Sequence, residues 1–249
     1  MGLTRKFRLP SQAARIARNG DHIQIDAGEY RDCAVWRANN LILEGIGKYA
    51  HVRDATCQEE GIWIVLGGHT TVINIEFSGA HVTANNGAGI KFRGGGVLIV
   101  RNSYFHDNEN GIMGGNKPQA RVLVSNSRFE RNGKCEPDCA HGIYLGHIQT
   151  LKIVGSKFIG QMVGHHIKSR ALNTVIIGNT IRDGPKGTAS FAIDLPNGGT
   201  ATIRSNFIQK GPRSENHMAI VSIGEEGATN PSRGIIIEGN VFMNQNAQL

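Results

Sequence analysis

Aromatic residues make up only 6% of the chain, prolines number 7 in 249 positions, and no run of 18 consecutive apolar residues occurs. The missing apolar run excludes a membrane-spanning helix, and residues 1–20 lack the apolar centre of a signal peptide. The four cysteines, Cys33, Cys57, Cys135 and Cys139, form no C-x-x-C pair, so zinc-ribbon spacing is absent. What is abundant is glycine, 33 residues, with 19% charged residues, a composition of turn-rich, β-rich proteins rather than helical or disordered ones.

Lys and Arg (27) outnumber Asp and Glu (20), giving a formal net charge of +7 and favouring polyanionic partners. The dense basic stretch Arg5, Lys6, Arg8, Arg15 and Arg18 carries few interleaved aromatics for base stacking, which argues against nucleic acid; anionic lipid and an acidic glycan stay open. Cys33 and Cys57 lie 24 residues apart, and Cys135 and Cys139 bracket a short loop. Two readings stay open: two local disulfides, which imply an extracytoplasmic or secreted protein, or four reduced thiols.

A short apolar strand recurs through the chain: Val72–Ile75, Val97–Val100, Val122–Val124, Leu151–Val154, Val175–Ile177, Ala201–Ile203 and Ile235–Ile237. After most copies comes a small polar residue and then a large apolar one, as in Ser103-Tyr104-Phe105, Ser127-Arg128-Phe129 and Asn179-Thr180-Ile181. A second strand with a central isoleucine follows in each repeat, at Ile90, Ile112, Ile143, Ile167, Ile193 and Ile220. Two short strands in a period of about 25 residues cannot bury a face alone, whereas like stacked on like forms continuous ladders. The pattern predicts an all-β, right-handed parallel β-helix over residues 1–249, with coils over about 21–246 and the six isoleucines in one buried stack. A capping helix is expected over Ser11–Arg18, with Ser11 as N-cap and Gly20 past its end. No helix is legible in Asn244–Leu249 to cap the other end.

The segment Gly20-Asp21-His22-Ile23-Gln24-Ile25-Asp26-Ala27-Gly28-Glu29-Tyr30 resembles the opening of many pectate-lyase-like β-helices: helix, Gly-Asp, short strand, Pro/Ala-Gly-x-Tyr. With about eight coils the resemblance covers nearly all of residues 10–246. It implies a fold that carries lyases, hydrolases, epimerases and non-catalytic adhesive proteins, so activity has to be argued from side chains.

Alternation across a strand turns the residues flanking each inward isoleucine outward. The column after it reads Lys91, Met113, Tyr144, Lys168, Asp194, Val221; the column before it reads Gly89, Gly111, Gly142, His166, Ala192, Ala219. On this reading Tyr144, His166, Lys168, Arg170 and Asp194 share one face over a floor of small residues. His141, His147, His165 and His217 lie at the edges of the same strands as substrate-binding candidates. Such a set suits β-elimination at a uronic acid. Lys168 or His166 takes the proton, Arg170 pairs with the carboxylate, Tyr144 protonates the leaving oxygen and Asp194 orients Lys168 or a histidine.

Calcium-dependent lyases and polygalacturonase-like hydrolases group carboxylates that this face lacks, so no cofactor is expected. A divalent transition metal held by His141, His147, His165, His166 and His217 is the weaker alternative. A polysaccharide lyase on a uronate-containing glycan is the leading expectation, ahead of a non-catalytic glycan-binding or adhesive β-helix and of a glycoside hydrolase using Asp194. Glu225-Glu226 and Lys210–Asn216 lie in long inserts beside these strands, as walls of a groove or as ordinary solvated loops.

Overall fold

A computed structural model describes residues 1–2, 4–136 and 138–246; residues 247–249 of the C-terminal segment lie outside them. The chain winds into a parallel β-solenoid of about seven turns. Among the described residues the strands form one 8-stranded sheet and one 16-stranded sheet. The larger sheet is folded in two by the long strand Leu41–Arg53, whose first half pairs with His69–Ile73 and whose second half pairs with Ile75–Ser78. Each middle coil therefore contributes three strands, such as Ala88–Phe92, Val97–Arg101 and Tyr104–His106.

The isoleucine ladder exists. Ile90, Ile112, Ile143, Ile167 and Ile193 are in register and fully buried, with Trp63 one coil earlier. Ile220 does not continue it: Val221 pairs with Ile193, and Ile220 is only partly buried. The long segment between residues 210 and 220 re-enters the sheet one residue later than the repeat predicts, so Ser222 rather than Val221 follows Asp194 in the outward column.

The second ladder is aromatic. Phe77, Phe105, Phe129 and Phe158 stack with centroids 5.0, 4.8 and 4.7 Å apart. Burial contributes about 1.5–3 kcal/mol for each ring, and ring pairing adds about 0.5–1.5 kcal/mol per pair. This ladder corrects the glycine column. A Cβ on Gly111 would lie 2.7 Å from Phe129 Cδ1, and one on Gly89 would lie 2.8 Å from Phe105 Cδ1. These glycines face the core and make room for the phenylalanines; they are not an outer floor.

Corners between strands need backbone in the left-handed region, and Asn102, Asn126, Gly155, Gly178, Ser205 and Gly239 supply it with φ between 48° and 66°. The next residue in each coil forms the polar ladder. Ser156 N–H donates to Asn179 Oδ1 (2.8 Å), Asn179 N–H to Asn206 Oδ1 (2.8 Å), and Asn206 N–H to Asn240 Oδ1 (2.9 Å). Amides that leave the sheet ladder at a corner are thus satisfied inside the solenoid.

The N-terminal helix is shorter than expected, Pro10–Ala14, with Leu9 rather than Ser11 at its cap. Pro10 has the fixed φ of a first helical turn, so the helix starts one residue early. Ser11 N–H is bound by Asp32 Oδ2 at 2.6 Å, and Asp21 Oδ2 takes Arg18 N–H at 2.8 Å where the chain turns into the first strand. Ala13 and Ala14 close onto the core. The chain holds two disulfides, Cys33–Cys57 and Cys135–Cys139, with Cα separations of 5.5 and 4.0 Å. Among the described residues no helix is long and apolar enough to cross a membrane.

Candidate functional site

The site stands on the outward face of the 8-stranded sheet, where three-residue strands, Ile143–Leu145, Ile167–Ser169 and Ile193–Leu195, place Tyr144, Lys168 and Asp194 side by side. Arg170, two residues past Lys168, reaches the same space. A cavity of about 420 Å³ opens over Met113, His141, Tyr144, His165, Lys168 and Arg170, with Glu226 at its rim. Asp138 and Cys139 of the second disulfide loop form part of its wall. Asn85, on the opposite wall, donates from Nδ2 to the Glu136 carbonyl and ties the two walls together.

Two cations grip one carboxylate. Glu226 accepts from Lys168 Nζ at 2.8 Å through Oε1 and from Arg170 Nη2 at 2.6 Å through Oε2. The Lys168 hydrogen bond, with Arg170 beside it, holds the Glu226 carboxyl below its ordinary pKa. Arg170 is fixed on its other sides by Asn197 Oδ1 (2.7 Å) and by Tyr144 Oη, which accepts from Nε at 3.3 Å. Asp194 is buried beneath them, with Oδ2 3.5 Å from both Lys168 Nζ and His165 Nε2. Among the described residues its Oδ1 has no hydrogen-bond partner, and burial pushes its pKa up to about 6 despite the pull of Lys168.

His141 and His165 stack at 4.9 Å, and backbone amides fix their tautomers. His165 N–H donates to His141 Nδ1 (3.0 Å) and Phe191 N–H donates to His165 Nδ1 (3.1 Å), so each neutral ring carries its proton on Nε2. Burial, reinforced by neighbouring positive groups, lowers both pKa values, His165 to about 3 and His141 well below its usual range. Near neutral pH these rings are uncharged hydrogen-bond donors.

The structure brings together Tyr144, Lys168, Arg170, Asp194, His141 and His165, but not the other three histidines. His166 is buried on the opposite side of the sheet, with Nε2 2.8 Å from Asp183 Oδ1 and its ring edge-on to Phe158. The expectation that it faces outward fails because the strand begins at Ile167; His166 lies in the preceding bend, where strict alternation does not hold. His147 and His217 are exposed and do not line the cavity. The five histidines considered as a metal set therefore do not converge.

Lys210 is likewise not a groove wall. It is buried, donating from Nζ to the carbonyls of Ser190 and Ala219. Asn197, which holds Arg170, belongs to neither outward column and was not among the expected site residues.

Residues 37–181 match the family described as the right-handed β-helix region, a span that includes Tyr144, Lys168 and Arg170. The chain belongs to that family. Comparison with curated proteins and with solved structures gave no match. The right-handed β-helix is compatible with polysaccharide-active and polysaccharide-binding proteins. In this one, Asp194 and Glu226 lie beyond the matched span, on the later coils.

Proposed function

We propose that the cleft receives an acidic polysaccharide and cleaves it by β-elimination beside a uronate. The observation that carries this reading is the grip of Lys168 and Arg170 on Glu226: two cations converging on one carboxylate at the rim of an open cavity. A uronate carboxylate has the same charge and fork geometry and can take the place of Glu226, which is half-exposed on a loop. Neutralising that carboxylate stabilises the negative charge that develops when the C5 proton leaves.

The remaining groups have roles that follow from position. Asp194, buried beneath the pair with Oδ2 3.5 Å from Lys168 Nζ, orients that amine once the substrate has displaced Glu226. Lys168 Nζ in its amine form takes the C5 proton while Arg170 keeps the carboxylate neutralised, and Tyr144 Oη, beside Arg170, delivers a proton to the leaving glycosidic oxygen. The Nε2–H groups of His141 and His165 are donors for sugar hydroxyls. The similarity of the Gly20–Tyr30 segment to pectate-lyase-like openings supports the scaffold that this reading needs, and the two disulfides support an exported protein.

A second reading, a non-catalytic glycan binder, is favoured by the salt-bridged state of the cleft, where Glu226 and Asp194 balance Lys168 and Arg170. Incubation with uronate-containing glycans separates the readings. A lyase creates unsaturated ends that absorb in the ultraviolet, a hydrolase creates reducing ends without that absorbance, and a binder creates neither.

A further inference from the structure

On the folded 16-stranded sheet, away from the cleft, His51, Glu76 and His106 meet on the outer face of adjacent coils. Their ligand atoms all lie within 4.8 Å of one another: Glu76 Oε1 is 2.9 Å from His106 Nε2 and 3.9 Å from His51 Nε2. The edges of a tetrahedron of ligands around a zinc ion, with bonds of about 2.0–2.1 Å, are about 3.4 Å, so small rotations of these side chains produce a three-ligand half-shell. All three are partly buried, and a groove of about 690 Å³ runs past His51 and Glu76, which leaves a fourth position open.

The groups that hold the ligating side chains distinguish this cluster from a chance surface pairing. His106 Nδ1 lies 2.6 Å from Asp107 Oδ2, and Asp107 is itself clamped by Arg131 through Nε (2.9 Å) and Nη2 (2.7 Å). A carboxylate fixed in this way holds the His106 proton on Nδ1 and turns the Nε2 lone pair toward Glu76. Tyr104 stacks on the His106 ring at 4.4 Å and holds its plane. His51 Nε2 lies 2.7 Å from Ser78 Oγ, a hydroxyl contact that an ion at this nitrogen displaces.

We propose that His51, Glu76 and His106 bind a divalent zinc-class ion, with Asp107 orienting His106 and the fourth position open to water or a ligand in the groove. Two imidazoles and one carboxylate form a donor set suited to Zn²⁺ over Ca²⁺ or Mg²⁺, which prefer all-oxygen shells.

Calorimetric titration of the full, chelator-treated chain with Zn²⁺, paired with Co²⁺ titration followed by visible d–d absorption, tests this. The expected result is one ion per chain, with affinity lowered more than tenfold in Glu76→Gln and His106→Ala. Asp107→Asn should weaken binding by about 10- to 100-fold, the usual effect of losing a carboxylate that orients a ligating histidine. His69→Ala, an exposed histidine elsewhere, should bind like the parent. Far-ultraviolet circular dichroism of the metal-free variants establishes that they are folded, and Glu76→Gln keeps the size of the side chain it replaces. Absence of Zn²⁺ binding and of Co²⁺ bands in the parent, or binding retained by both folded Glu76→Gln and His106→Ala, would overturn the proposal.

Discussion

Lys168 Nζ and Glu226 Oε1 meet at 2.8 Å across 58 residues of chain, and the same carboxylate is held by Arg170. On the proposed function, an acidic ligand has to displace Glu226 from this cation pair. Glu226→Gln should therefore tighten binding of an acidic oligosaccharide by up to about tenfold, because solvent-accessible ion pairs of this kind are individually worth only about 0.2–1 kcal/mol. Calorimetric titration of parent and variant with one oligouronide checks it; unchanged affinity would mean that Glu226 does not compete.

Arg170 offers the most directional contact to a carboxylate, being braced by Asn197 and Tyr144. Arg170→Ala should weaken acidic-glycan binding by about 10- to 100-fold, the scale of one lost charge-assisted hydrogen bond. Arg128→Ala, which removes an exposed partner of Glu130 on another face, should leave it unchanged. Equal losses in the two variants would point to bulk charge instead of the cleft.

Acid sensitivity follows from the buried pairs. His165, neutral in the fold with a pKa near 3 against an ordinary 6.5, takes up a proton more readily when unfolded, so stability falls as pH drops below about 6.5. His141 acts in the same direction. Asp194 acts in the opposite direction: its folded pKa near 6 exceeds the ordinary 3.8, so its contribution grows as pH falls from about 6 to about 4. His165 and Asp194 nearly cancel near pH 5, so His141 decides the sign, and stability should fall as pH drops from about 6.5 toward 5. Asp194→Asn should make the parent's acid loss steeper and raise stability near pH 7. Denaturant midpoints measured from pH 4 to pH 8 (about one per pH unit) decide the sign.

The glycines of the inward column are placed for packing. Gly111→Ala would set a methyl 2.7 Å from Phe129 Cδ1 and 2.5 Å from the Gly142 carbonyl, and should cost about 1–3 kcal/mol. Gly115→Ala meets nothing within 4 Å and should be neutral. Thermal unfolding of the two variants makes the comparison.

Much of this architecture can be read from spacing, because every coil must place an aliphatic side chain on the one before it; Ile90 to Ile193 obey that demand. Reading fails where the chain leaves the repeat. Ile220 slips by one residue after a long insert, and His166 sits in a bend where alternation no longer decides direction. Tyr144, Lys168 and Asp194 were legible as a column because each is the central residue of a three-residue strand. The hold of Glu226 on Lys168 was not, since loop residues obey no period and an acidic pair in an insert says nothing about which cation it reaches. The His51, Glu76 and His106 cluster escaped for a similar reason: its members occupy two different positions in successive coils, not one column.

The most direct test of the account is a screen of uronate-containing polysaccharides for new ultraviolet absorbance on incubation with the protein. The account predicts absorbance from an unsaturated product with at least one acidic glycan, abolished in Lys168→Ala and in Arg170→Ala while both remain folded. Reducing ends without that absorbance, or absorbance that survives both substitutions, would contradict it.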